Sequence, residues 1–138
     1  MKKFAATFLL TLGVVLVAGL VTHAQEVHKL VADIPNAFSV AGNQLPAGRY
    51  EFELPEIVHK NVVVRSLDGK HSATGLIVTG IGADPAKPSE PRLVFDVVGA
   101  QYILSEVWFP GHDGFLVAGF KSDSEHKHST VKGNPAKP

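Results

Sequence analysis

Seven histidines are the first residues in this chain whose chemistry stands out. A metal held by imidazoles needs its ligands to converge within roughly 2.0–2.1 Å of one ion. His28, His59, His71 and His112 fall on different strands and turns, with no i,i+2 pair on one face. His126 and His128, beside Glu125, are spaced to hold a divalent ion weakly, yet they lie in a polar tail that fixes no geometry. No metal and no cofactor is therefore expected. Nucleophilic catalysis lacks its parts as well. There is no G-x-S-x-G elbow, and the adjacent side chains of His112 and Asp113 diverge in an extended chain, so neither orients the other toward a serine. No catalytic residue is assigned.

Carboxylates and aromatics give the remaining candidates. Glycoside hydrolysis needs two acids flanking a cleft, whereas Glu51 and Glu53 alternate outward along one strand. Glu106 differs, because it sits inside the otherwise apolar run Tyr102-Ile103-Leu104-Ser105-Glu106-Val107-Trp108-Phe109. A carboxylate in that setting is either held ionised by a cation such as Arg65 or Arg92, or desolvated into a candidate acid. The rim Trp108-Phe109-Pro110-Gly111 is the best binding candidate, since a tryptophan beside a turn suits stacking on a sugar or on a partner's apolar surface. The competing reading has Trp108 plugging one end of the core. Trp108, Phe109, Glu106 and His112 are thus the candidate binding residues.

The elements that position these residues read as strands. Beyond residue 24 the pattern has period 2 with turn residues every 8–12 positions, which indicates a small sandwich or barrel. Runs at 27–34, 38–40, 49–54, 61–66, 72–81, 92–98, 101–109 and 115–120 are separated by turn chemistry. Tyr50, Phe52 and Leu54 point one way, and Arg49, Glu51 and Glu53 point the other. Asp68-Gly69 is a strong hairpin signal, and Gly75 and Gly80 mark candidate bulges. Pro85, Pro88 and Pro91 make 84–91 an extended loop that cannot donate to a ladder. With Gly99-Ala100 as a two-residue turn, Val97 pairs with Tyr102, Phe95 with Leu104 and Leu93 with Glu106. The core then comprises Tyr50, Phe52, Leu54, Leu93, Phe95, Val97, Leu104 and Trp108, with Asp96 outward. A three-residue turn would reverse the parity and place Glu106 with Arg92, Val94 and Asp96 on the wetter face. From Lys121 on the composition is too polar to offset its ordering entropy, so 121–138 is expected to be a disordered tail. The fold class is all-β: a small antiparallel two-sheet sandwich of about seven to eight strands over residues 25–120, with a closed barrel as the alternative.

The N-terminus reads as an export signal over residues 1–24. Lys2 and Lys3 precede an apolar run at 4–21, and Thr22-His23-Ala24 puts small residues at the −3 and −1 positions of a signal-peptidase site. This segment is expected to be helical and to leave Gln25 as the mature N-terminus. The alternative is an uncleaved inner-membrane anchor at 4–21. Without Lys2 and Lys3 the mature part keeps 11 basic and 13 acidic residues, net −2. It carries no basic stripe for nucleic acid and no polybasic patch for a membrane surface. The chain has no cysteine, which excludes disulfides and thiol chemistry.

Three segments resemble a known group of short, signal-bearing bacterial proteins abundant in soil lineages: residues 32–40 with Ile34-Pro35-Asn36-Ala37-Phe38, residues 45–50 with Leu45-Pro46-Ala47-Gly48-Arg49-Tyr50, and residues 102–108 with Tyr102-Ile103-Leu104-Ser105-Glu106-Val107-Trp108. The resemblance implies export to the periplasm or beyond and a β domain. It carries over no activity and no catalytic residue. The leading expectation is an exported non-enzymatic β domain that binds a ligand or envelope partner or serves structurally, without stable membrane insertion after cleavage. The alternative is a hydrolase of unrecognised type acting on envelope or extracellular polymer.

Overall fold

The structure is a computed structural model that describes residues 27–55, 60–82, 90–119 and 127–136. The signal segment with its cleavage site, His59, His126 and most of the proline-rich loop at 84–91 lie outside the described residues. What is described is all-β: β1 His28–Ile34, β2 Phe38–Val40, β3 Asn43–Leu45, β4 Gly48–Leu54, β5 Asn61–Ser66, β6 Ser72–Ile81, β7 Arg92–Val98, β8 Gln101–Trp108, β9 Gly114–Val117, β10 Lys127–Lys132 and β11 Asn134–Pro135. They form one mixed sheet in the order β10-β7-β8-β9-β6-β5-β4-β1-β11, with the β2–β3 hairpin attached to β8 through β2. The β2–β8 pairing is parallel, Phe38 opposite Tyr102, and the other ladders are antiparallel.

Strand β6 turns the sheet. Its first half pairs with β5, from Ser72 opposite Arg65 to Leu76 opposite Asn61. Its second half pairs with β9 after a register shift between Ile77 and Thr79. The bulge therefore falls at Val78, not at Gly75 or Gly80. Gly75 serves packing instead: a Cβ there would lie 2.7 Å from Val117 Cγ1 and 3.2 Å from both Val40 and Val62 Cγ1. Leu30, Phe52 and Val62 from one arm and Leu93, Phe95 and Leu104 from the other share one core.

The alternation read for β4 holds, with Tyr50, Phe52 and Leu54 buried between half-exposed Glu51 and Glu53. Across the outer face Lys29 Nζ lies 3.3 Å from both Glu51 Oε1 and Glu53 Oε2. Exposed pairs of this kind contribute little. The Gly99-Ala100 turn also holds, with Gly99 at φ +61° and Val98 opposite Gln101. Positive φ at the first central residue is the type II′ geometry, whose twist matches the flanking strands.

Three expectations are corrected. The sheet does not close into a barrel, because its two end strands β10 and β11 pair with β7 and β1, and no ladder joins those ends to each other. The segment from 127 on is not a disordered tail. Lys127–Lys132 runs antiparallel along the whole of β7, and Asn134-Pro135 pairs with Val31 and Leu30 of β1. A free edge supplies backbone partners to any extended chain, so a strand can form there without apolar composition. The strand number rises accordingly, with β3, β10 and β11 added to the eight runs. Third, the β7–β8 ladder shifts between Val94 and Phe95: Phe95 meets Leu104, but Val94 meets Glu106 and Leu93 meets Val107. Ser105 is the extra residue. It turns Glu106 and Trp108 away from the core, and Val97 is only half-buried.

Phe95 is 1% exposed and packs edge-on to Phe38, with ring centroids 5.6 Å apart. Phe95→Ala should cost about 3–5 kcal/mol, read by equilibrium denaturation. A loss below about 1 kcal/mol would mean that this side chain is not held in a closed core.

Candidate functional site

The bulge at Ser105 brings Glu106, Trp108 and Arg92 into one cluster on the outer face. Because it reverses parity, Glu106 and Trp108 lie on the outer face opposite Val94 and Arg92 of β7, and opposite Leu116 and Gly114 of β9. Trp108 Nε1 donates to Glu106 Oε2 at 2.8 Å. The Arg92 guanidinium carbon sits 4.0 Å from the indole centroid. Gly114 makes room beneath: a Cβ there would lie 2.4–2.7 Å from indole atoms Cε2, Cδ2 and Cζ2. The tryptophan thus lies across the sheet on a glycine, tethered by a carboxylate and covered by a cation. A cation over an indole contributes about 0.5–1 kcal/mol where exposed and more when desolvated.

This geometry changes the roles of the four candidate residues. Trp108 is 7% exposed and Phe109 is fully buried, so neither forms an open stacking platform. Phe109 belongs to the inner core and meets Phe115 at 6.1 Å between centroids. Glu106 and Arg92 share Trp108 as a partner, the carboxylate taking the indole N–H and the guanidinium lying over the ring. His112 is exposed in the turn before β9, and its ring lies 3.8 Å from that of His28 at the start of β1. The structure therefore joins Glu106 to Trp108, puts Phe109 on the opposite face, and ties His112 to β1. Arg92 and Gly114 complete the cluster. Their signal in the sequence is cross-strand register, which becomes readable only once the bulge is placed.

The histidines fall elsewhere too. His128 is on β10, with Nδ1 3.0 Å from Asp96 Oδ1. His71 closes the β5–β6 hairpin, where its amide donates to Ser66 Oγ at 2.9 Å and Ser66 Oγ donates to Asp68 Oδ1 at 2.5 Å. The Ser66 hydroxyl, followed by the Lys70 amide, holds the Asp68 carboxyl below its usual range. What Asp68 contributes is thus present above the ordinary carboxylate range and lost as pH falls through its folded value. Ser66, Asp68 and His71 form a turn lock, since the serine donates to the aspartate and not to an imidazole base. Beside them a hollow of about 310 Å³ is lined by Pro46, Arg49, Tyr50 and Leu67 among others. Tyr50, whose hydroxyl donates to the Pro46 carbonyl at 2.8 Å, has its pKa raised, first by burial and then by the Asp68 charge. Among the described residues no group of three or more His, Asp or Glu is arranged to hold a metal ion.

No protein-family model, curated protein or solved structure matches the chain. Its surface must speak for it.

One apolar surface stands out. Leu76 and Val78 on β6 are 54% and 59% exposed. The bulge at Val78 breaks the alternation, so that Val78, Thr79 and Gly80 all face solvent in succession. They border a groove of about 200 Å³ lined by Leu54, Lys60, Ile77, Val78, Thr79, Gly80 and Phe115. Lys60, at the rim, holds a positive φ of 24° while its carbonyl accepts the Ile77 amide at 2.6 Å. A non-glycine residue in that conformation is strained by the order of 1–3 kcal/mol and persists only where the surroundings enforce it.

Trp108 is the only tryptophan, so its fluorescence reports this cluster directly. Gly114→Ala should push the indole off the sheet, red-shift its emission and cost about 1–3 kcal/mol, as for other overpacking changes. Glu106→Gln keeps an acceptor but loses the charge, and should cost about 1 kcal/mol with a smaller shift. Unchanged emission in Gly114→Ala would show that the indole does not rest on that glycine.

Proposed function

We propose that the mature chain is an exported, non-enzymatic β domain that binds an apolar segment of an envelope or extracellular partner through β6. In this reading the curved sheet acts as a two-layer sandwich, with β6 belonging to both layers, and residues 1–24 are removed on export. The same reading groups the chain with the short exported bacterial proteins that its three segments resemble. One observation carries the proposal: Leu76 and Val78 are held more than half exposed on a strand fixed by ladders to β5 and β9, and Val78 lines an apolar groove. Contiguous exposed apolar surface on a rigid element marks an interaction site more often than a solvent face. The domain's net charge is small, so apolar contact and not electrostatic steering is the attraction.

The experiment is site-specific photocrosslinking in the producing cell. A photoreactive residue at position 76 or 78 should give a discrete adduct, and one at Thr74, exposed on the same strand, should give little. Leu76→Asp should abolish the adduct formed from position 78. Equal or absent crosslinking at all three positions would overturn the assignment of β6 as the binding surface.

A further inference from the structure

The C-terminal segment is attached in an unusual way. Strand β10 pairs over its six residues with β7, Lys127 opposite Val97 through Lys132 opposite Arg92. After Gly133, Asn134 and Pro135 pair with Val31 and Leu30 of β1. One short stretch thus covers the edge of β7 and two residues on the edge of β1. Gly133 marks the crossing: its amide donates to the Pro91 carbonyl at 2.9 Å, and a Cβ on it would lie 3.0 Å from Leu30 Cδ1. Yet the segment puts little into the core. Lys127, His128, Thr130 and Lys132 are exposed, and Val131 is the one side chain packed against the core cluster. Backbone ladders hold it, over the fully buried Leu93 and Phe95.

An element with many backbone bonds and few buried apolar contacts belongs to the low-stability end of a structure, where local opening precedes global unfolding. Opening this one would bare Arg92 to Val97 along the edge of β7 and Leu30 and Val31 on the edge of β1. Such edges accept an extended chain, and the sequence that fits them best is the one that already does. We infer that the edges of β1 and β7 form a strand-acceptor site whose second occupant is residues 127–135 of another copy of this chain, exchanged reciprocally to give a two-fold dimer. The exchange keeps each ladder and each contact of Val131 and Gly133, so its cost in contacts is small and protein concentration sets its extent. Lys127 and Lys132 at the ends of β10 place charge on its free outer edge, which disfavours addition of a further strand. Reciprocal exchange fills both acceptor edges, so the assembly closes at two. This inference is independent of the role proposed for β6.

The cysteine-free chain allows a direct test. Val94 and Thr130 are directly paired. Paired antiparallel residues have Cα atoms roughly 4.5–5.5 Å apart, inside the range that a disulfide spans. The double variant Val94→Cys/Thr130→Cys should oxidise within one chain when dilute and between chains when concentrated. Two single variants, Val94→Cys and Thr130→Cys, mixed at high concentration and oxidised, should give a covalent heterodimer on non-reducing gels. The control mixture of Val94→Cys with Thr74→Cys should not. If the double variant crosslinks only within the chain at every concentration, and the mixed singles give no more dimer than the control, the exchange does not occur. If the double variant fails to crosslink at all, the β7–β10 register is wrong and the inference falls with it.

Discussion

Phe38 sits where the two arms of the sheet meet, edge-on to Tyr50 at 5.0 Å and to Phe95 at 5.6 Å between centroids. Edge-to-face pairs add about 0.5–1.5 kcal/mol beyond the area that they bury. In a chain without cysteine no covalent bridge binds the arms, so this three-ring contact and the aliphatic side chains around it must do so. It also explains the short parallel pairing of β2 with β8. Phe38 can reach both rings only if β2 lies against the first residues of β8, opposite Tyr102 and Ile103. The placement divides one edge of β8 between two neighbours, with β2 beside its beginning and β9 beside Glu106, Val107 and Trp108.

Ser105 lies between those two neighbours, and there the strand bulges. This helps explain which parts of the structure were legible in the sequence. Alternation and turn residues located β1, β2, β4, β5, β6, β7, β8 and β9, and the Gly99-Ala100 turn set the register as far as Phe95 opposite Leu104. Each of these rests on local chemistry: apolar parity, a glycine at positive φ, a proline that cannot donate. Beyond Leu104 the register depends on how β8 meets β2 and β9, a tertiary constraint with no residue signature. Ser105 is an ordinary strand residue, so counting carried on through it and assigned Glu106 and Trp108 to the wrong face. The C-terminal strands were illegible for a different reason. Composition measures what side chains can bury, whereas β10 is held by backbone groups that every non-proline residue owns.

The candidate site was half legible in the same sense. Glu106 and Trp108 stood out because a carboxylate and the single tryptophan interrupt an aliphatic run, and the structure does pair them. Their consequence was misread, since residues two apart on a strand share a face and can satisfy each other. An indole N–H bound to a carboxylate needs no ligand. With Arg92 above and Gly114 below, the ring is enclosed and only 7% exposed. The cluster resembles a small outer core, built where the bulge prevents those side chains from joining the inner one.

Two bulges therefore divide the surface by opposite physical outcomes. At Ser105 the extra residue turns a tryptophan outward, but a carboxylate tether and a glycine-floored bed cover it again. At the second bulge, Leu76 and Val78 simply continue the outward parity of Ser72 and Thr74, and among the described residues nothing comparable covers them: both stay more than half exposed. Bulges bend a strand and re-aim its side chains, and they concentrate at sheet edges and working surfaces. Since β6 is the strand on which the sheet turns, its bulge is part of the bend that brings the two arms over Phe38. The geometry that closes the core thus turns Thr79, which alternation alone would bury, out beside Val78 and widens the exposed strip. The exposed Leu76 and Val78 and the groove over Leu54 and Phe115 are not products of that bend, and they set this strip apart from an ordinary solvent face.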